Sequence, residues 1–351
     1  MKTAILTDTH FGARNDNIAF AGYFSKFYEN IFFPYLKKHN IKNLIHMGDV
    51  FDRRKFVNYK TLYDARSMFF DPLAEEDIEC HMLAGNHDTF YKTTNEVNSP
   101  GLLLKEYSNI TTYNSPCELT NCNSTFIMMP WICKENHDSA VNLINGTKCD
   151  LMFGHLEVNG FEMIRGQFCI EGLERKLFDK FDMVFSGHFH HRSDNGTIYY
   201  VGNPYQNTWM DYKDPRGFHI FDFETRELTF IVNPYEMFHK YFYNDLDWTA
   251  ETVHEENFDK WKNCYIKIIV ENKTNPYLFD VILDKMYKSG VGDINVVESF
   301  AELDNDVTFV DEAQDTMTIL SSYIDQMETI ADKKRLDILM RNLYNESLTL
   351  E

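Results

Sequence analysis

Short apolar runs alternate with longer amphipathic segments along the first quarter of the chain. The apolar runs cover residues 4–6, 43–47 and 79–84, and the segments between them, 17–38 and 58–75, carry apolar side chains at helical spacing. This strand–helix–strand–helix–strand order is typical of a parallel β-sheet. Because such sheets collect functional groups at the carboxyl ends of their strands, the polar residues after each run are the first candidates for chemistry.

The middle of the chain is rich in short apolar runs that predict further strands. These runs cover residues 110–113, 125–129, 151–153, 168–170, 183–185, 198–201, 218–223 and 228–232. Their number and close spacing predict a second sheet that packs against the first.

The remainder of the chain predicts a small domain and a tail. A strand at 265–270, a helix at 277–288 and a strand at 294–297 predict a β-α-β unit. After an acidic linker, residues 316–347 predict amphipathic helices whose apolar stripe has no obvious domain to cover it. The predicted units are residues 1–234, 235–300 and 301–351.

The charge of the chain limits how it can bind its partners. The formal net charge is -20, and residues 301–351 contribute -8 of it through 12 acidic and 4 basic side chains. Phosphate affinity comes from Lys and Arg, so bulk electrostatics cannot hold nucleic acid to this chain.

No apolar run approaches the ~18 residues of a membrane span. Seven cysteines without a C-x-x-C pair predict reduced thiols and a cytoplasmic protein.

Five polar motifs follow predicted strands in series. They are Asp8-x-His10, Gly48-Asp49, Gly85-Asn86-His87-Asp88, Gly154-His155 and Gly187-His188-x-His190. Each motif alone is typical of a turn or cap. Their joint occurrence at strand ends predicts one polar site. Its mixed oxygen and nitrogen donors, with no cysteine among them, suit Mn, Fe or Zn better than Mg or Ca.

This motif series resembles that of the calcineurin-like metallophosphoesterases. Within that superfamily the chain is most similar to the nuclease subunits of SbcC–SbcD-type DNA repair complexes, especially those of T-even-like phages. The residues that carry this closer resemblance are 48–55, 154–160 and 214–218. The resemblance covers residues 1–232. It implies an α/β fold, a two-sheet αββα sandwich, followed by a small β-α-β capping domain and a C-terminal helical tail.

The resemblance implies two divalent metal ions, with Mn²⁺ expected, that activate a shared water for in-line attack on a phosphodiester. It places Asp49 between the ions and assigns the other ligands to one ion or the other: Asp8, His10 and His190 to the first, and Asn86, His155 and His188 to the second. His87 is implied to stabilise or protonate the leaving oxygen. Asp88 either orients His87 or caps a helix.

Further polar residues are open to two interpretations. Arg14, Arg53, Arg54 and Lys55 follow ligand motifs in loops, where they either contact DNA phosphates or form a solvated surface. Position 52 is often His in break-repair relatives and is Asp here, which leaves its role open. His46 and His81 lie inside apolar strands and are predicted to be core residues. His191 is predicted to point away from His190.

The resemblance implies a metal-dependent DNA nuclease that acts with a coiled-coil ATPase of the SbcC type in end processing, recombination and repair. The implied activities are a double-strand exonuclease and a single-strand endonuclease. The tail is implied to dock the ATPase, with a homodimer inside a heterotetramer, in the host cytoplasm if the chain is phage-encoded. Two alternatives remain open: a phosphoprotein or cyclic-nucleotide phosphoesterase of the same fold, and a non-catalytic scaffold for the ATPase.

Overall fold

The computed structural model describes residues 1–164, 166–246 and 248–298. Its strands are β1 Lys2–Leu6, β2 Asn43–His46, β3 Glu79–Leu83, β4 Ile110–Tyr113, β5 Cys117–Asn121, β6 Ser124–Met129, β7 Leu151–His155, β8 Glu162–Ile164, β9 Gln167–Phe168, β10 Met183–Gly187, β11 Ser193–Asp194, β12 Ile198–Tyr200, β13 Gly217–Asp222, β14 Leu228–Val232, β15 Phe238–Asn244, β16 Tyr265–Asn272 and β17 Asp293–Val297.

The α-helices are α1 Ala13–Asp16, α2 Ile18–Phe27, α3 Phe33–Lys38, α4 Tyr59–Ala65, α5 Asp71–Glu75, α6 Ser99–Leu103, α7 His137–Gly146, α8 Ala250–Glu255 and α9 Pro276–Lys288. Single π-turns, Tyr28–Phe32 and Arg66–Phe70, join α2 to α3 and α4 to α5, so the two predicted long helices are confirmed. Short 3₁₀ segments occur at Arg175–Phe178, Trp209–Asp211 and Asp259–Trp261.

Two six-stranded sheets form the main body. Sheet one has the order β14-β13-β1-β2-β3-β4, and sheet two has the order β11-β12-β10-β7-β6-β5. In sheet one β1 to β4 run parallel, while β13 and β14 add antiparallel at one edge. In sheet two the four central strands are parallel and each edge strand is antiparallel. The parallel βαβαβ unit predicted for residues 4–84 is therefore confirmed.

Three apolar cores show the layering. Ile5, Ile45 and Leu83 of sheet one pack in one core with Phe153 and Phe185 of sheet two, so the sheets lie face to face. A second core joins the outer face of sheet one to α2–α5, and a third joins the outer face of sheet two to α7. The predicted αββα sandwich is confirmed.

Helix α2 shows how the outer layers are built. Its N-cap, Asn17, accepts a hydrogen bond from the Ala19 amide at 2.9 Å, which satisfies one of the free amides of the first turn. Phe20, Phe24 and Phe27 follow at spacings of four and three and are almost fully buried against sheet one. This single apolar stripe fixes which face of the helix meets the sheet.

The predicted cap contains more secondary structure than its β-α-β pattern indicated. A three-stranded parallel sheet, β15-β16-β17, has its own apolar core with α8 and α9. The β-α-β prediction missed β15, in which half-buried His, Lys and Tyr residues interrupt the apolar pattern. The cap packs on α2 through Phe20, whose ring centroid lies 5.4 Å from that of Tyr265. The predicted tail helices, residues 316–347, lie outside the described residues.

Two smaller features complete the fold. The strand predicted at 168–170 is largely wrong: the short strand β9, Gln167–Phe168, shares only Phe168 with it and pairs with β8 in a separate hairpin. Among the described helices, none is both long and apolar enough to cross a bilayer.

Candidate metal centre

All five predicted motifs meet at one edge of the sandwich. Sheet one supplies the residues that follow β1, β2 and β3, and sheet two supplies the end of β7 and the residues that follow β10. The amide of His188 donates to the carboxylate of Asp8 at 3.1 Å, which joins the two sheets directly at this edge. The strand-end placement predicted from the sequence is confirmed.

The turns after β1 and β2 have an unusual backbone. Asp8, His10 and Asp49 adopt φ values of 52°, 42° and 52°, in the left-handed region that non-glycine residues rarely occupy. Gly48 has φ 98°, and a Cβ there would lie 2.8 Å from the Gly85 backbone and from His155 Nδ1. The amide of Asp8 donates to the Gly48 carbonyl at 2.9 Å. Strain of this kind persists only where surrounding contacts hold it, as at functional sites.

Three side chains form the first group of candidate metal ligands, which we name cluster one: Asp8, His10 and His190. Their ligand atoms lie within 4.8 Å of one another. His10 Nε2 lies 3.0 Å from His190 Nε2, and each of these nitrogens lies 3.9 Å from Asp8 Oδ1. The Asp8 and His10 side chains are almost fully buried, whereas that of His190 is 19% exposed.

The second group, cluster two, consists of Asp49, His155 and His188, with the amide of Asn86. Asn86 Oδ1 lies 2.9 Å from His155 Nε2 and 2.9 Å from His188 Nδ1. The ring of Trp131 packs 5.0 Å from that of His188 and closes one side. Four donors from both sheets thus converge in cluster two.

Asp49 lies between the two clusters. Its Oδ2 is 3.4 Å from His155 Nε2 of cluster two and 3.8 Å from His10 Nε2 of cluster one. Its Oδ1 accepts the His87 amide at 2.8 Å, which fixes the carboxylate orientation. A carboxylate in this position is suited to bridge two cations.

The arrangement of the donor atoms favours bound cations. His155 Nδ1 donates to the Met47 carbonyl at 2.7 Å, so a neutral ring turns the Nε2 lone pair toward the acceptor oxygens of Asn86 and Asp49. Lone pairs that face each other repel unless a proton or a cation lies between them. Burial would lower the pKa of His155, but Asp49 and Asp8 raise it to about 9. The buried carboxylates of Asp49 and Asp8 therefore stabilise positive charge at His155.

His87 lies beside both clusters, and a neighbouring loop holds it in position. Its Nδ1 lies 2.6 Å from the carbonyl oxygen of Asp52, which can only accept, so Nδ1 carries the hydrogen and Nε2 is left to exchange a proton. Its ring packs edge-on against that of His10 at 4.9 Å. The Asp52 carboxylate lies 3.4 Å from His10 Nδ1. The sequence alone left the role of position 52 open, and the structure places Asp52 against both histidines.

Asp88 takes neither of its two predicted roles. Its carboxylate accepts the amides of Val50 and Gly85 at 2.9 Å each, and it is completely buried. Among the described residues its side chain makes no hydrogen bond to His87 and caps no helix. Asp88 instead ties the turn after β2 to the turn after β3. Burial, together with the nearby Asp49, raises the pKa of Asp88 to about 7.

A buried arginine that sequence reasoning missed supports cluster one. Arg216 Nη1 donates to the carbonyl oxygen of His190, and its Nη2 lies 2.6 Å from Asp211 Oδ1 and 2.8 Å from Asp214 Oδ2. Asp214 also lies 2.8 Å from His191 Nδ1, so the His191 side chain lies outside both clusters, as predicted. The segment 214–218 carried the family resemblance, but nothing in its letters indicated contact with the His190 backbone.

Of the predicted basic residues, Arg14 lies in the single turn α1, and Arg53, Arg54 and Lys55 lie in the loop between β2 and α4. Arg14 Nε donates to the Asn207 carbonyl at 2.9 Å, and Arg53 pairs with Asp16 at 3.1 Å. Arg54 is partly buried and Lys55 is exposed. The carboxylate of Asp16 therefore neutralises part of this basic surface.

The two strand histidines are core residues, as predicted. His46 Nε2 lies 3.1 Å from the Thr9 hydroxyl, and His81 Nδ1 lies 2.8 Å from the Tyr113 hydroxyl. Burial lowers the pKa of His46 to about 3, so its ring is neutral.

Comparison with known proteins agrees with this geometry. Residues 1–192 match the family profile described as calcineurin-like phosphoesterase. The chain is 31% identical over 343 residues to exonuclease subunit 1 of Enterobacteria phage T4, with 95% of each chain covered. It is 25% identical over 228 residues to the SbcD component of the SbcCD nuclease of Staphylococcus saprophyticus, with 54% of this chain and 58% of that protein covered.

Proposed function

The chain belongs to the calcineurin-like phosphoesterase family, and on this basis we propose that it is a metal-dependent DNA nuclease. The observation that carries the proposal is the position of Asp49 between two clusters of buried donors. The two relatives are named as parts of an exonuclease and of a nuclease, and these names favour DNA as the substrate. The activities proposed are exonuclease action on duplex ends and endonuclease action on single strands.

Each residue of the centre has a distinct task in this proposal. Two divalent ions, when bound, supply Lewis acidity and lower the pKa of water at the centre. Cluster one and cluster two would each hold one ion, and the Asp49 carboxylate would be available to both. Their mixture of carboxylate, amide and imidazole donors favours Mn²⁺ over an all-oxygen metal such as Mg²⁺.

His87 is proposed to act on the leaving oxygen. The Asp52 carbonyl fixes its tautomer, so Nε2 is the atom that gives a proton to the departing strand or stabilises its charge. The Asp52 carboxylate also lies beside His10 Nδ1, so Asp52 contacts both His87, the proposed acid, and His10 of cluster one. Arg14, Arg53, Arg54 and Lys55 remain proposed contacts to DNA phosphates, and Arg14 and Arg53 also make hydrogen bonds within the chain, to the Asn207 carbonyl and to Asp16.

The proposal is tested with end-labelled duplex DNA and Mn²⁺, for the wild-type protein and for Asp49→Asn. We expect the wild type to shorten the duplex and the variant to leave it intact. Bis(p-nitrophenyl) phosphate, p-nitrophenyl phosphate, a phosphoprotein and a cyclic nucleotide are assayed in parallel. Hydrolysis of the phosphoprotein or cyclic nucleotide without cleavage of DNA would contradict the proposal in favour of another phosphoesterase. Absence of hydrolysis on every substrate, with metal bound, would favour a scaffold.

The C-terminal tail is proposed to dock a coiled-coil ATPase. The described part of the chain has its own apolar cores in the sandwich and in the cap, and the apolar stripe predicted for residues 316–347 supports the idea that the tail serves a partner. A chain that ends at residue 305 should still hydrolyse bis(p-nitrophenyl) phosphate with Mn²⁺ and should lose co-purification with the ATPase. Retained co-purification, or unfolding of the shortened chain, would contradict this role.

A homodimer within a heterotetramer is proposed as the working assembly, in the cytoplasm of a phage-infected host. Exposed apolar side chains support the dimer: Tyr59 and Tyr63, one turn apart on α4, are 90% and 68% exposed, and Leu102 on α6 is 58% exposed. Light scattering should give the mass of two chains for the wild type and of one chain for Tyr63→Glu/Leu102→Glu. A single-chain mass for the wild type would contradict the dimer.

A further inference from the structure

One segment of the sandwich contacts both the metal centre and the cap. This segment, residues 203–216, joins β12 to β13, and we name it the support loop. At its end, Arg216 donates to the His190 carbonyl of cluster one. Near its start, the Gln206 side chain contacts the first strand of the cap, β15. The support loop therefore lies between cluster one and the cap.

Gln206 is bonded on both sides. Its Oε1 accepts the amides of Met237 and Phe238 in the cap at 2.7 and 3.1 Å, and its Nε2 donates to the Asp211 carbonyl of the support loop at 2.9 Å. Both lone pairs of the side-chain oxygen are thus used by the cap. Because Gln206 is only 2% exposed, water has little access to replace these bonds if the side chain is removed.

Asp211 continues the connection toward cluster one. Its Oδ2 accepts two amides of the same loop, those of Asn207 and Thr208, at 2.7 and 3.0 Å, and its Oδ1 lies 2.6 Å from Arg216 Nη2. Asp211 and Arg216 are both buried, and hydrogen bonds between charged groups are short and strongly oriented. A shift of Asp211 therefore moves the Arg216 guanidinium, which contacts the His190 carbonyl.

The cap makes two further contacts with the support loop, both at Trp209. The Phe238 ring centroid lies 4.9 Å from that of Trp209, and Lys267 Nζ lies 4.6 Å from the Trp209 ring centroid. Lys267 belongs to β16 of the cap and is 1% exposed, which is rare for a lysine. Its ammonium group over an aromatic ring adds a cation–π contact. Side-chain packing therefore joins the cap to the same loop as Gln206 does.

The chain connection between the sandwich and the cap is also bound to the support loop. Between β14 and β15, the amide of Asn233 donates to the Arg216 carbonyl at 2.7 Å, and its Nδ2 donates to the Pro204 carbonyl at 3.0 Å. Asn233 is buried. A change in the orientation of the cap must therefore act on the support loop.

We propose that Gln206 is a positioning residue that couples the position of the cap to the Mn²⁺ affinity of cluster one. This inference rests on the proposed function, because it concerns the proposed metal centre. A ligand that displaces the cap weakens metal binding at cluster one and leaves cluster two unchanged, since no hydrogen bond found within the described residues joins the support loop to a cluster two side chain. Coupling between two sites is reciprocal, so metal bound at cluster one also stabilises the cap against the support loop.

The first test is a Mn²⁺ titration of full-length protein followed by electron paramagnetic resonance, which gives a dissociation constant for each site. His190→Ala, which removes a cluster one ligand, identifies the constant of cluster two. Gln206→Met should raise the cluster one constant by about 10-fold, the lower end of the effect of a group that orients a ligand, and leave the other constant unchanged. Lys267→Met should raise the same constant by a smaller factor. Lys267→Met also tests the coupling if Gln206→Met fails to fold.

Tyr265→Phe is the matched control. The Tyr265 hydroxyl accepts from Asn17 Nδ2 at 3.0 Å, so this variant also removes a hydrogen bond between the cap and the sandwich. That bond reaches the residue before α2 and not the support loop. Both dissociation constants should therefore equal those of the wild type.

The second test measures amide hydrogen exchange at Met237 and Phe238, the two amides bonded to Gln206. Mn²⁺ should slow this exchange in the wild type by up to about 10-fold, the same factor as in the titration, because the coupling is reciprocal. Arg216→Met keeps the bonds from Gln206 to the cap but removes the contact with His190, so the slowing by Mn²⁺ should disappear. A purely structural role of Gln206 would not make exchange in the cap depend on metal.

The coupling is overturned if Gln206→Met and Lys267→Met leave the cluster one constant unchanged, if both constants rise equally, or if Mn²⁺ still slows exchange in Arg216→Met. A wild type that binds no Mn²⁺ would contradict the proposed function instead. The coupling is then decided in the metal-free protein, where Arg216→Met should speed exchange at Met237 and Phe238 more than in α9. Unchanged exchange there overturns the coupling as well.

Discussion

Sheet one and sheet two both carry candidate ligands of the proposed metal centre, but they hold them differently. Sheet one places Asp8, His10 and Asp49 in tight left-handed turns that are joined by backbone hydrogen bonds, such as that from the Asp8 amide to the Gly48 carbonyl. Sheet two places His155 at the end of a strand, where its Nδ1 donates to the Met47 carbonyl of sheet one, and the Arg216 side chain donates to the His190 carbonyl. Bonds between backbone groups hold the first arrangement, and bonds that involve side chains hold the second.

This difference predicts which substitutions disturb the ligands carried by each sheet. The turns of sheet one are held by backbone groups and by the Asp88 carboxylate, all of which belong to the motifs themselves. The His190 carbonyl, in contrast, is held by the side chain of Arg216, which belongs to none of the five motifs. Substitutions remote from the motifs should therefore disturb sheet-two ligands more selectively than sheet-one ligands.

The largest effect is expected for Asp49→Asn, because both clusters share this carboxylate. Loss of a bridging charge should remove several kcal/mol of transition-state stabilisation and slow bis(p-nitrophenyl) phosphate hydrolysis by at least about 10³-fold. Asp71→Asn, on the exposed surface beside Tyr107, is the control and should retain the wild-type rate. A rate for Asp49→Asn near that of the control would show that the clusters act separately.

The next effect is expected for His87→Ser. His87 contacts both sheet-one turns but is not a ligand of either cluster, so metal content should be unchanged. Removal of the acid should slow the chemical step by about 10²–10⁴-fold. Metal content is measured by elemental analysis alongside the rate. Loss of one metal in this variant would make His87 a ligand and would contradict its assignment as acid.

A smaller and more selective effect is expected for Arg216→Met. Removal of a group that orients a ligand typically costs about 10–100-fold in metal affinity. The Mn²⁺ site assigned to cluster one should lose that affinity while the other site keeps its own, and excess Mn²⁺ should restore much of the rate. The variant also leaves the buried carboxylates of Asp211 and Asp214 without their cation, so unfolding free energy should fall by about 3–5 kcal/mol. Equal weakening of both metal sites would contradict selective control of cluster one.

The smallest effect is expected for Asp214→Asn. The amide keeps the shape of the carboxylate and one acceptor for His191 or Arg216, so the network is weakened rather than broken. Metal affinity of cluster one should fall a few-fold, which corresponds to about 1 kcal/mol. Titration with Mn²⁺ measures this against Arg216→Met in one series. A loss as large as that of Arg216→Met would mean that the charge of Asp214, and not the arginine, holds His190.

The sequence predicted the layers of the fold and the ligand motifs because both depend on short-range patterns. Apolar runs marked the strands, and glycine next to Asp, Asn or His marked the turns where the backbone must bend sharply, as at Gly48. Strand β15 was missed because its aromatic residues alternate with half-buried His and Lys. In this respect the cap was harder to predict than the sandwich.

The contacts between motifs could not be predicted. That Asp52 holds His87 with its carbonyl, or that Asp88 accepts amides from two turns, depends on how loops far apart in sequence approach each other. Arg216 lies in a segment that carried the family resemblance, yet its contact with the His190 carbonyl is a backbone interaction that leaves no pattern in the letters. Such residues become visible only in three dimensions.

The central claim, that Asp49 joins ligands of both sheets into one two-metal centre, is tested most directly by electron paramagnetic resonance of the Mn²⁺-loaded protein. Two Mn²⁺ ions that share a carboxylate lie about 3.5–4 Å apart and are magnetically coupled. The wild type should give the signal of an isolated ion at one equivalent and an exchange-coupled signal at two, whereas Asp49→Asn should not give the coupled signal. Two independent, uncoupled Mn²⁺ signals in the wild type would contradict the account.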